Sequence, residues 1–287
     1  MKNIILLILM AVIFGLSADR PLVCIKDGLP VGIPINNKIV QGDKDGKVNG
    51  LALSGCFFKS AIKDVTFKGF IGDDGTSVKL NLKGVKFRVL TKLNDVKFIH
   101  CDMEGAQFAT CRLDKVLFNW TILSKANFFK TYITGGQDIL KQKNVSFYGV
   151  TANSGVFTSA KFENTRMLLV NFSLADFLRS GWSSVWVGND SNLRGASFIE
   201  SSLEDVNMEG LDASYTNFSG AKIKGLNFEG SAWSPLNLVN AKFDDFQTNT
   251  NITVKCVTFG EKCLSSKKDK INKISCTTSQ DCKKYEL

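Results

Sequence analysis

Apolar residues recur in this chain at every fifth position, a spacing that neither regular secondary structure produces. One run reads Leu93, Phe98, Met103, Phe108, Leu113, Phe118, Leu123, Phe128, Ile133. A second reads Phe147, Ala152, Phe157, Phe162, Met167, Phe172, Phe177, Trp182, Val187. The third reads Leu193, Phe198, Leu203, Met208, Ala213, Phe218, Ile223, Phe228, Trp233, Leu238, Phe243. A helix buries a face about every 3.6 residues and a strand about every 2, so a strict five fits neither.

The position two before each centre follows its own rule. It reads Thr91, Val96, Cys101, Ala106, Cys111, Val116 in the first run and Ser191, Ala196, Ser201, Val206 in the third, mostly small and never charged. Charges fall on the other three positions, as at Lys97, Arg112, Lys115, Glu204 and Lys224. A chain that turns one corner per five residues, with one large and one small side chain inward on each side, satisfies both rules. It fills a narrow interior and pairs its backbone with the coils above and below, about 4.8 Å away.

Segments such as Ala126-Asn127-Phe128, Ala196-Ser197-Phe198 and Ala241-Lys242-Phe243 resemble the A(D/N)(L/F)xx unit of pentapeptide-repeat proteins. The resemblance covers residues 89–245 and implies an all-β fold, a right-handed quadrilateral β-helix with four units per coil. A weaker extension runs Phe57, Ile62, Phe67 and then Leu82, Phe87, so the solenoid is expected over 57–245. The phenylalanine centres are its expected core ladder. Six-residue spacings at Phe87–Leu93 and Val187–Leu193 read as one-residue bulges. The fourteen residues from Ile133 to Phe147 read as a loop at about 134–146.

The ends have a different character. Lys2, the apolar run Ile4 to Leu16 and small residues at Gly15, Ser17 and Ala18 read as a signal peptide over 1–18, and hence a secreted or extracytoplasmic protein. Residues 19–56, with Gly, Pro and Asp-Gly turns, are the expected N-terminal cap, and 246–287 a Cys- and Lys-rich cap or tail. Of 8 cysteines, Cys101 and Cys111 lie at inward positions and are expected reduced. The disulfide candidates are Cys24 with Cys56, and Cys256, Cys263, Cys276 and Cys282 among themselves, so that disulfides link the terminal segments. Four cysteines allow three connectivities, and the spacing leaves all three open.

No nucleophile elbow, P-loop, dinucleotide fingerprint or zinc motif stands in a suitable context. The single His, His100, is expected to face outward with no Ser or Cys to activate. The expectation is therefore a protein that is not an enzyme, with no catalytic residue, metal or cofactor. Six Asn-x-Ser/Thr sequons (Asn119, Asn144, Asn171, Asn189, Asn217, Asn251) matter only in a eukaryotic secretory route.

Outward positions supply a candidate partner patch: Tyr148, Leu168, Leu169, Leu174 and Trp186. The leading expectation is a secreted scaffold that binds a protein partner there, a second copy of the chain included. The alternative is binding to an anionic membrane or glycan through the tail, where residues 254–287 carry a net +4 within a chain of net +9. The resemblance also implies a third role, since some pentapeptide-repeat proteins mimic DNA and antagonise type II topoisomerases. That role wants a strongly acidic rod, whereas only 191–247 is acidic here, at net −4. Other nucleic-acid binding has no supporting motif.

Overall fold

The computed structural model describes residues 22–135, 145–188, 190–227, 231–232, 237, 241–248, 252–254, 270–271 and 274–276. The expected signal peptide and Cys256, Cys263 and Cys282 lie outside the described residues. So do Phe228 and the side chains of Phe243 and Cys276.

The chain winds as a four-sided coil whose sides are short parallel strands or single bridges. Side 1 holds Lys92–Asn94, Arg112–Asp114, Tyr132–Thr134, Lys161–Glu163 and Gly181–Ser183. Side 2 holds Thr66–Lys68, Lys97–Ile99, Leu117–Asn119, Val145–Tyr148, Arg166–Leu168 and Trp186–Val187. Side 3 is a column of bridges through Asp102, Ile122, Thr151, Asn171, Asn192 and Asp212; side 4 runs through Lys86, Gln107, Asn127, Val156, Asp176, Ser197 and Asn217. Register fixes the coil length. Leu93 pairs with Leu113 and Leu113 with Ile133, an offset of 20 residues and therefore four units per turn.

Departures from that offset locate the insertions. Ile133 pairs with Phe162, 29 residues on, so nine extra residues enter between Ile133 and Phe147; residues 136–144 lie outside the described ones. Trp182 pairs with Leu203, 21 on, which is the slip after Val187. Phe67 pairs with Phe98, 31 on, because a small hairpin (Phe70–Ile71 with Ser77–Val78) and the slip after Phe87 intervene.

The core is a pair of ring stacks. On side 4 Phe58, Phe87, Phe108, Phe128, Phe157, Phe177, Phe198 and Phe218 stack with centroids 4.7–5.3 Å apart. On side 2 Phe67, Phe98, Phe118 and Phe147 stack at 5.1–5.3 Å. The two columns meet edge to face, as in Phe108 with Phe118 at 5.7 Å, the arrangement ring quadrupoles favour. Phe162 and Phe172 are also buried, against Trp182 and Phe177 respectively.

Small polar residues at the inner position are satisfied by backbone carbonyls. Thr121 donates to Phe98 O at 3.0 Å and Thr131 to Phe108 O at 2.7 Å, so Thr and Ser are tolerated inside. The Asn or Asp before many centres has an equally local cause. Its side-chain oxygen accepts the N–H two residues on, as Asn127 from Phe129 at 2.9 Å and Asp176 from Leu178 at 2.9 Å, closing an Asx turn. Corners fall every fifth residue in left-handed conformation, including Asp95, His100, Gly105, Thr110, Lys115, Trp120, Lys125 and Lys130.

The N-terminal end differs from the expected boundary at residue 57. A hairpin, β1 (Leu22–Lys26) with β2 (Leu29–Ile33), caps the coil, and Cys24 is bonded to Cys56 with Cα atoms 5.6 Å apart. The coil itself begins earlier, since Ile39–Gln41 already pairs in parallel with Thr66–Lys68. Phe58, 1% exposed, is the inward residue of the first coil rather than Phe57, because Leu53 lies five residues before it and the next step, to Ile62, is only four. At the other end Lys242–Thr248 runs past residue 245, and Gln247 and Thr248 pair onward with Lys270 and Ile271.

Candidate interaction face

Side 2 and the corner between sides 2 and 3 carry the main cluster of outward aromatic and aliphatic groups. Inward Phe118, Phe147, Met167 and Val187 force their neighbours outward. Tyr148 pairs in register with Leu168, and Arg166 with Trp186. The Arg166 guanidinium lies 4.8 Å from the Trp186 ring centre, a cation–π contact that half-buries the indole.

The corner column reads Trp120, Gly149, Leu169 in successive coils. Trp120 stands edge-on to Tyr148 at 5.8 Å and lies across Gly149, where a Cβ would come within 2.6 Å of the indole. Glycine is needed there twice over, for that approach and for a φ of +60°. Leu168 lies over Gly188 in the same way. Trp120 is 52% exposed and Leu169 40%, so the cluster stays open to solvent.

Four of the five expected patch residues therefore gather on one face: Tyr148, Leu168, Leu169 and Trp186. Leu174 stands apart, on the next corner across side 3, resting against Gly195. Trp120 belongs to the face and was missed; its signal is its position two after Phe118, the same corner position that Leu169 holds after Met167. Leu117 and Asn119, outward by register, are nonetheless buried.

His100 occupies the corner one coil before Trp120. The Lys79 ammonium donates to Trp120 O at 2.7 Å and to His100 Nδ1 at 3.3 Å. That bond fixes the proton on Nε2, which is buried with no partner. Burial, and then the Lys79 charge, holds the imidazole below its ordinary pKa; burial likewise lowers that of Lys79. Cys101 and Cys111 are free and buried inside the coil, and burial pushes the Cys111 thiol up to about 12 and that of Cys101 higher still. Among the described residues no three His, Cys, Asp or Glu side chains gather as a metal site, and no helix is long and apolar enough to cross a membrane.

The coil offset of 20, the stacked centres and the left-handed corners together define a quadrilateral β-helix. Residues 91–128 and 191–231 match the family model for pentapeptide repeats in 8 copies. Those two stretches of the chain are pentapeptide repeats.

Similar solved structures include a trypsin-treated variant of QnrB1, a plasmid-mediated fluoroquinolone resistance protein (14% identity, TM-score 0.36, covering 72% of this chain and 90% of that one). HetL, a pentapeptide repeat protein involved in heterocyst differentiation regulation from the cyanobacterium Nostoc sp. strain PCC 7120, shares 16% identity at a TM-score of 0.29, covering 66% and 85%. Rfr23 from the cyanobacterium Cyanothece 51142 shares 14% at a TM-score of 0.26, covering 53% and 89%. At TM-scores below 0.5 none of these carries an argument about this chain. No curated protein matches the sequence.

Proposed function

We propose that the protein is a secreted, non-enzymatic scaffold that holds a protein partner on side 2. The observation that carries the reading is the open cluster of Trp120, Tyr148, Leu168, Leu169 and Trp186, spread over four successive coils of a rigid wall. Large aromatic side chains with few rotatable bonds, held on a preformed surface, lose little entropy on binding. Export is supported by the apolar N-terminal segment and by the Cys24–Cys56 bond, which an oxidising compartment would maintain.

The test compares proteins cross-linked to the wild-type chain and to a Trp120→Ser, Leu169→Asn variant in the native extracytoplasmic fraction. One partner lost with the variant, at unchanged thermal stability, supports the face. An undiminished cross-link excludes it. Intact mass of the native protein tests export separately: an uncleaved chain with reduced Cys24 and Cys56 would remove the secreted part of the reading.

A further inference from the structure

The corner between sides 4 and 1, diagonally across the rod from the aromatic cluster, carries a different surface. The slip between Phe87 and Leu93 inserts one residue, and the corner turn is displaced accordingly. Thr91 N donates to Arg88 O at 2.9 Å, leaving Val89 and Leu90 as the two central residues of the displaced turn. In the next coil the corresponding bond joins Cys111 N to Phe108 O, a turn of the same size that closes on the Phe centre itself rather than on the residue after it. Val89 is 62% exposed and Leu90 81%, the latter in left-handed conformation at φ 65°. Two branched apolar side chains therefore stand open to solvent on this edge.

Exposed cations flank that point on both sides. Lys86 and Arg88 stand on side 4, and neither makes an ion pair among the described residues. On side 1 Lys92 and Arg112 pair in register; Lys92 meets Asp114 only at 3.9 Å, and Arg112 rests on the Tyr132 ring. The corner is thus a small exposed apolar patch flanked by four basic groups. It matches a soft surface that accepts apolar side chains beneath a layer of negative charge.

We infer that the Val89–Leu90 corner docks on an anionic lipid surface, the two side chains entering the boundary beneath the headgroups while Lys86, Arg88, Lys92 and Arg112 meet lipid phosphates. In this orientation the cluster around Trp120 faces away from the membrane, because opposite corners of a four-sided coil point in opposite directions. The docking is independent of the protein-partner reading and of the lysine-rich tail.

Flotation of the full chain with vesicles of phosphatidylcholine, alone or with added phosphatidylserine, tests the inference. The chain is expected to float only with the anionic vesicles and less as salt rises. Leu90→Asn should lower the partition coefficient about tenfold through lost apolar burial. Arg88→Gln and Lys86→Gln should each lower it about fivefold. Asparagine accepts the left-handed corner, so Leu90→Asn should unfold at the wild-type midpoint. Failure to float with anionic vesicles overturns the inference, as does equal binding to neutral ones. Since the tail 254–287 is present in every variant, wild-type flotation of Leu90→Asn would assign binding to it instead and overturn the corner. Capture by soluble polyglutamate that is lost with Arg88→Gln but indifferent to Leu90→Asn would mean an acidic macromolecule, and would also overturn it.

Discussion

Replacing Phe128 by alanine should remove a large share of the rod's stability, and the structure sets the size. Phe128 is fully buried and stacked between Phe108 at 4.7 Å and Phe157 at 4.8 Å, with Phe118 edge-on at 6.0 Å. Buried Phe→Ala changes cost about 3–5 kcal/mol, depending on how far the site can collapse. Collapse is restricted here, because the coils above and below are held at strand spacing by backbone bonds such as Phe128 N to Val156 O at 2.7 Å and Asn127 N to Ala106 O at 2.8 Å. The cost should therefore fall in the upper half of that range, about 4–5 kcal/mol.

The adjacent residue is the control. Phe129 points outward, is half-buried and has the Lys130 ammonium 5.1 Å from its ring centre. Phe129→Ala should cost about 1 kcal/mol or less. Phe128→Leu keeps most of the volume but loses two stacked contacts, about 1–3 kcal/mol in all. Urea unfolding followed by circular dichroism and by tryptophan fluorescence measures all three variants. Coils touch only their neighbours, so Phe128→Ala should also broaden the transition and separate the two probes. Equal costs at 128 and 129 would refute the inward assignment of the ladder, and with it the stacked core.

Three further outcomes are expected. Gly149→Ala places a methyl against the Trp120 indole at φ +60° and should cost about 2–4 kcal/mol in the same unfolding assay. His100 has a folded pKa below its unfolded value near 6.5, so the unfolded chain takes up the proton more readily. Its contribution is present above that value and lost as pH falls below it; urea midpoints measured from pH 7 to pH 5 should drop further in the wild type than in His100→Asn. Cys101 and Cys111, buried and with raised pKa, should resist iodoacetamide in the native state and react fully in urea, as mass spectrometry would show.

A single period carried most of the fold, because only the inward positions obey a rule. Each coil must present one large and one small side chain to an interior of fixed width, and the Phe, Ala, Ser and Thr at those positions follow from that packing alone. Where the spacing breaks, legibility fails. Leu53 and Phe58 belong to the first coil, but the four-residue step after Phe58 and the Asp43 turn before Val48 disguise them, and the adjacent Phe57 competes for the inward place.

Outward positions obey no such constraint, so the interaction surfaces become visible only when residues distant in sequence are assigned to neighbouring coils. Counting 20 residues on from Trp120 leads to Leu140, whereas the pairing of Phe118 with Phe147 puts Gly149 above the indole and Tyr148 beside it. The nine inserted residues shift every later outward residue by the same amount, and a constant offset scatters a face that the true offset of 29 assembles. Leu90 was hidden for a related reason. The six-residue spacing announces an extra residue, but which two side chains it expels depends on whether the turn closes on Phe87 or on Arg88, a choice made by one backbone hydrogen bond. The periodic interior is thus written once per five residues in local chemistry, while the binding surfaces are written in the interruptions.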